Sequence, residues 1–408
     1  MTDYADPDLF NPFSPEFHAD PYPSYARLRT EAPVFRTPFG PWVVSRHADI
    51  AEIVRDPRWG HGTRDDVTQA LAERGEAVGF DLDLSLQSFL TMDPPDHTRL
   101  RGLVNRAFSP RLVSRLEPLI RTVTERLLDD ALAAGEVDLI DAYAYPLPLA
   151  VICELLGVPV DDQKDFREWS LALARGTEPR MLLSPDVLDR FEWADREFSG
   201  YLRELIAARR REPTDDLLGR LVSLAGQGHQ LTERELTLTC MLLLVAGHET
   251  TAAMIGNATL ALLGNPDQLT LARTRPTLTR TAVDELLRYD ASVQITRRTA
   301  LTDGLVVGGQ SIHRGESAIL LLGAANRDPE MFVDPDRLDL TRESAGNHLS
   351  FSAGIHFCLG AALARLELQI AVAALLRRAP ALRLAGEVRW RGTLMIRGMD
   401  RMPVRLVD

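Results

Sequence analysis

Three sets of residues in this chain have types and spacings suited to chemistry. The first centres on Cys358, near the end of Phe351-Ser352-Ala353-Gly354-Ile355-His356-Phe357-Cys358-Leu359-Gly360 and just ahead of Leu359 to Arg378, an Ala/Leu-rich segment with helical spacing. A sulfur at a helix N-terminus meets free backbone N–H groups and the positive end of the dipole, both of which favour the thiolate. Gly354 permits a positive φ within the loop, and Gly360 lets a flat ligand approach the backbone.

The second set lies in Leu231 to Gly264, which is apolar almost all round and is expected to be a buried helix. Its middle reads Ala246-Gly247-His248-Glu249-Thr250-Thr251. A glycine there costs about 1 kcal/mol relative to alanine, and an unpaired buried carboxylate costs more. Such conflicts between local rules tend to mark functional positions. A carboxylate beside a hydroxyl can relay protons. His248-Glu249 begins like a zinc-binding H-E-x-x-H helix, but Ala252 stands where the second histidine belongs, so His248 reads as a helix-face residue. The third set is His97 and Arg101, four residues apart and therefore on one helix face, two donors suited to a carboxylate. Taken singly, each set has a bland alternative: a buried apolar cysteine, a salt-bridged glutamate, a solvated basic face.

Several elements must position these groups. Thr232-Glu233-Arg234-Glu235 is a capping box, with Leu231 against Leu236 as a hydrophobic staple, and Gly264-Asn265-Pro266 is a stop signal. The helix between them, at ~1.5 Å per residue, is ~47 Å long and crosses the whole molecule. Asp20 to Arg29 opens a short helix, Trp59 to Leu90 reads as irregular, and Leu112 to Ala225 as several amphipathic helices separated by breakers at Gly135, Pro146 and Pro148, Gly157 to Pro159, and Gly176 to Pro185. Val34-Phe35-Arg36 and Trp42-Val43-Val44 form a hairpin across a Pro/Gly turn, while Leu394-Met395-Ile396 and Pro403-Val404-Arg405 read as short strands. Glu285 and Arg288, three apart, can pair on a helix.

Composition sets bounds. A net charge of −12 argues against a nucleic-acid-binding surface. Cys153, Cys240 and Cys358 lie far apart, which suggests no disulfide framework or zinc finger and fits a reducing cytoplasm. Met1 to Pro12 lacks the pattern of a secretory signal. The uncharged run Cys240 to Gly247 is far shorter than the ~20 residues of a membrane span, so no membrane association is expected.

Together the motifs carry a resemblance. Phe351, Gly354, His356, Cys358 and Gly360 are spaced as in the haem-ligand loop of the cytochrome P450 family, with one departure: Ser352 stands where bacterial members commonly have glycine. Ala246 to Thr251 is similar to the family's central-helix signature, and Asp93-Pro94-Pro95-Asp96-His97-Thr98-Arg99-Leu100-Arg101 to its propionate-binding helix. Asn326-Arg327-Asp328-Pro329 and Phe332-Val333-Asp334-Pro335 are similar to its meander.

The resemblance implies a mainly α fold with a smaller β region and a long central helix over the haem. It implies one domain spanning 1–408, β-rich at about 30–60, 290–320 and 385–408. It also implies haem b (iron protoporphyrin IX), ligated by Cys358. His97, Arg101, Arg298 and His356 would contact its propionates, with adjacent Arg297 an alternative to Arg298. Ala246 and Gly247 would form the O2 groove, and Thr250 with Glu249 would deliver protons. Glu285, Arg288 and Arg337 would lock the fold. The turn near Leu394 and Met395 would touch substrate.

The implied activity is monooxygenation of a hydrophobic small molecule, such as a secondary-metabolite intermediate, by a cytoplasmic monomer. Electrons would come from a ferredoxin and ferredoxin reductase, docking at Arg106, Arg111 and Arg365. Two other readings stay open: a peroxide-driven or oxidative-coupling relative, and a haem- or ligand-binding protein without turnover.

Overall fold

A computed structural model describes residues 10–407 apart from 39, 75–87, 160–161, 177, 179–182, 227–230 and 276. The described helices are α1 (Pro15–Ala19), α2 (Tyr22–Glu31), α3 (His47–Ile53), α4 (Arg64–Glu73), α5 (Asp96–Ala107), α6 (Pro110–Ala134), α7 (Pro146–Leu156), α8 (Gln163–Arg175), α9 (Pro185–Arg211), α10 (Leu217–Gly226), α11 (Glu233–Leu263), α12 (Pro266–Arg273), α13 (Arg280–Tyr289), α14 (Leu322–Ala325) and α15 (Ala361–Arg378). A single π-helical turn, Ile140–Ala144, precedes α7.

The strands are β1 (Val34–Arg36), β2 (Trp42–Val44), β3 (Trp59–Gly60), β4 (Glu136–Asp138), β5 (Ile295–Ala300), β6 (Leu305–Val307), β7 (Gln310–Ile312), β8 (Ser317–Leu321), β9 (Arg383–Leu384), β10 (Arg389–Trp390), β11 (Met399–Arg401) and β12 (Pro403–Arg405). The largest sheet runs β1-β2-β8-β5-β3 and gathers strands from opposite ends of the chain. Its β1–β2 pair is the expected hairpin, in the register Val34↔Val44. β2 lies parallel to β8 and β5 antiparallel to it, and β3 pairs antiparallel with the other edge of β5, Trp59 opposite Ala300 and Gly60 opposite Thr299.

The main core surrounds α11. Thr232 and Glu235 close the capping box at its start, with N···O distances of 3.1 and 2.8 Å. Almost all the side chains from Leu236 to Thr259 are buried. By length and composition α11 could cross a membrane, but 78% of its most apolar window is covered by the protein itself, as suits the core helix it is.

Two readings of the sequence need correction. The stretch read as irregular contains α4, capped by Thr63, whose side chain accepts from the Asp66 N–H; the weak apolar stripe, Ala70 and Leu71 alone, hid it. Leu394 to Ile396 is a bend with one β-bridge, Ile396 to Val293, because the Leu394 and Met395 amides donate to the Glu178 carboxylate instead of a neighbouring strand. Phe80, Leu82, Leu84 and Leu86 of the stretch read as irregular, and half of the residues from Gly176 to Pro185, lie outside the described residues.

Candidate functional site

The cysteine loop is held by its own backbone. The Cys358 N–H donates to the Phe351 carbonyl at 3.0 Å and the Ser352 N–H to Leu349 at 2.8 Å. Gly354 has φ +68°, and a side chain there would run into the carbonyl of Val54. Ser352 also lies in the left-handed region, at φ +55°, so the position that is commonly glycine carries strain of about 1 kcal/mol here. Gly360 caps α15, and a Cβ on it would lie 4.0 Å from the Cys358 sulfur. The Phe351 ring is half-buried under the Arg365 guanidinium.

The thiolate expectation needs amendment. Burial pushes the Cys358 thiol up, against the downward pull of the Gly360 and Ala361 N–H groups and of Arg101 and Arg365. A bound metal cation reverses that balance, since a coordinating thiol is deprotonated outright.

Next to the loop is a cluster of imidazoles. His97, on the inner face of α5, has its ring 4.4 Å from that of His356, and the His356 ring is 4.9 Å from that of His61. All three are buried, and the Nε2 atom of each has no hydrogen-bond partner among the described residues. Buried Arg298 faces them from β5; burial lowers it to about 10, with Asp93 raising and Arg297 lowering it. Burial and then Arg298 push His356 down to about 3. Arg298 acts electrostatically on all three rings and Arg297 on His61 alone, so Arg298 is the arginine turned to the cluster. Arg101 ties α5 to the loop through a 2.6 Å bond to the Phe357 carbonyl.

The middle of α11 is where its burial fails. Ala246 is exposed and Gly247 and Thr250 are half-buried in a helix otherwise covered on every side, and these three share a face. The Thr250 hydroxyl donates to the Ala246 carbonyl at 2.8 Å. The missing side chain of Gly247 accommodates Ile152 of α7, which a Cβ would meet at 3.1 Å.

Glu249 is fully buried and bonds Arg391 at 2.5 Å, and Arg391 also reaches half-exposed Asp400 at 3.3 Å. Its Oε1 lies 3.3 Å from His248 Nε2 without hydrogen-bond geometry. Burial would raise this carboxyl, but His248 and Arg391 outweigh it and hold it at about 2. His248 is itself enclosed: Nδ1 donates to the Leu244 carbonyl at 2.8 Å, and Nε2 lies 2.9 and 3.1 Å from the Tyr145 and Ser170 hydroxyls.

Behind the loop, Glu285 and Arg288 form a bidentate pair at 2.7 and 2.9 Å, both fully buried. The third arginine is Arg342, 3.1 Å from both Glu285 oxygens, and not Arg337, which contributes only its carbonyl, as acceptor for Arg342 and Arg288. Of the three arginines read as a docking patch, Arg106 and Arg111 are exposed. Arg365 is withdrawn from it by a 2.6 Å bond to Asp284 and by its stack on Phe351.

Sequence reasoning missed His61, Arg342, Arg391 and the part played by Asp93. The Asp93 carboxylate accepts from the His61 and Gly62 N–H groups at 3.0 and 2.8 Å, while its carbonyl accepts from the His97 N–H at 3.0 Å. The glycines flanking His61 were the one local signal.

The cytochrome P450 family model matches residues 271–379. Cytochrome P450 107B1 of Saccharopolyspora erythraea is 44% identical, over 99% of each chain. The 6-deoxyerythronolide B hydroxylase of the same organism is 39% identical, over 96% of this chain and 98% of its own. The solved structure of the bacillaene polyketide synthase cytochrome P450 PksS of Bacillus subtilis superposes with a TM-score of 0.87 at 37% identity, covering 98% of this chain and 100% of that one. Family members bind haem b, and the residues present fit it: a cysteine at a helix start, beside unpartnered imidazole nitrogens and a buried arginine that call for an anion. With this similarity along its whole length and these groups in place, the chain belongs to the cytochrome P450 family, as a bacterial haem-thiolate monooxygenase.

Proposed function

We propose that the protein inserts one oxygen atom of O2 into a hydrophobic secondary-metabolite intermediate, with Cys358 as the iron ligand and electrons from a separate ferredoxin. The observation that carries this reading is the placement of Cys358 beside imidazole Nε2 atoms that no group among the described residues satisfies. Bound haem supplies the reductive activation of O2; the protein supplies ligation, orientation and protons.

His97, His356, Arg298 and Arg101 hold the propionates, for which ring and guanidinium N–H donors are suited. Phe351 and Gly360 flank the ligand on its own side. Ala246 and Gly247 leave room for O2. Thr250 keeps its hydroxyl proton on the Ala246 carbonyl, so its lone pairs are free to order a water in the opening. Glu249, kept ionised by its ion pair with Arg391, is the carboxylate next to Thr250 through which protons are delivered. This hydroxyl and carboxylate pair favours the O2 route over use of peroxide.

The substrate class rests on similarity to the 6-deoxyerythronolide B hydroxylase and to PksS. Exposed Arg106 and Arg111, at the end of α5 and the start of α6, suit an acidic ferredoxin. A cytoplasmic location accords with three free cysteines.

The test is single-turnover product formation under ¹⁸O2 with reduced ferredoxin and a panel of macrolide precursors. One labelled oxygen per product is expected from wild type, and Thr250→Ala and Glu249→Gln are expected to divert electrons to hydrogen peroxide. Unlabelled product, or equal coupling in the variants, contradicts the reading.

A further inference from the structure

We propose that His61 is a third imidazole of the haem carboxylate cradle, donating from its ring to a propionate alongside His97 and His356; this rests on the reading that the imidazole cluster holds the propionates. His61 is 7% exposed and its Nε2 has no partner among the described residues. Its ring meets that of His356 edge to face, with an interplanar angle of 90°. Arg298 is the largest electrostatic influence on it after burial. A buried imidazole nitrogen left without a partner forfeits its hydrogen bond to water. Here the same deficit recurs at Nε2 of all three rings.

The position is built. Pairing of Gly60 with Thr299 carries the end of β3 beside Arg298. The Asp93 carboxylate, the nearby acceptor, takes the backbone N–H groups of His61 and Gly62, and the ring's Nε2 makes no bond to it. A Cβ at Gly60 would collide with that carboxylate, and Gly62 sits at φ +67°, where glycine alone is at ease. Asp93 thus fixes His61 through its side chain and His97 through its carbonyl.

The experiment uses purified holoprotein. His61→Phe keeps an aromatic ring against His356 but removes the N–H, and His61→Gln restores a donor. Two readouts are needed: haem transfer to excess apomyoglobin, and the propionate bending band in resonance Raman spectra. His97→Phe is the reference, and circular dichroism checks that each variant is folded. His61→Phe should lose haem roughly tenfold faster than wild type and shift the band, with His61→Gln in between. If His97→Phe moves both readouts and His61→Phe neither, His61 only packs against His356 and the proposal fails while the cradle stands. If neither variant moves them, the cradle reading itself is wrong.

Discussion

Two buried polar clusters lie on either side of the cysteine loop, and they differ in one respect. In Glu285, Arg288 and Arg342 every charge finds its partner within the chain: the carboxylate accepts from both arginines and from the Asp339 N–H, and Arg288 also donates to the Asn326 and Pro335 carbonyls. In His61, His97 and His356 each Nε2 has no partner among the described residues, next to a buried arginine that bonds the neighbouring Arg297 carbonyl and Thr296 hydroxyl. Both clusters bear the desolvation cost of burial. A cluster complete in itself holds the fold together, whereas an incomplete one is shaped for a ligand.

Substitutions in the two clusters should therefore differ in kind. The largest effect lies outside both clusters, at the Glu249 carboxylate: Glu249→Gln is expected to cut coupled turnover roughly a hundredfold. It should also change acid stability. The folded-state value of Glu249 is about 2, below its ordinary 4.5, so its contribution is complete above about 4.5 and is lost as pH falls toward 2. Acid titration of the glutamine variant should lack that part of the slope; an unchanged slope would mean that Arg391 does not hold the carboxylate.

Arg288→Leu comes next. It strands Glu285 with Arg342 alone and should destabilise the protein by about 3 kcal/mol, with or without haem, as read by denaturant titration. Arg298→Leu should separate the two states. Removing a buried, poorly paired guanidinium should leave the haem-free protein within about 1 kcal/mol of wild type, while the holoprotein loses haem roughly tenfold faster. Equal destabilisation of both forms would erase the distinction between the clusters. The smallest effect is expected at Ser352→Gly, which relieves a left-handed serine and should raise stability by about 1 kcal/mol in thermal unfolding.

What was legible in the sequence was what local rules determine. Thr232 and Glu235 announce the start of α11 because the capping box is complete within four residues, and the β1–β2 hairpin declares itself by its Pro/Gly turn. Cys358, His97 and Thr250 were found by motif, since each stands at fixed spacing from its neighbours. Partners that arrive from afar were not legible. Arg391 reaches Glu249 across 142 residues, and Arg342 reaches Glu285 across 57; nothing local singles out either arginine among so many. His61 joins His356 only because β3 pairs with β5 in one register. The Cys358 thiol illustrates a further limit: the helix N-terminus was read correctly, but burial, which depends on the whole fold, outweighs it.

The most direct measurement is the carbon monoxide difference spectrum of the dithionite-reduced protein, taken beside that of Cys358→Ala. A strongly red-shifted Soret band in wild type that disappears in the alanine variant is the outcome expected for thiolate-ligated haem. The same band in both proteins, or no haem signal in folded wild-type protein grown with ample haem, would contradict the assignment of Cys358 as the iron ligand.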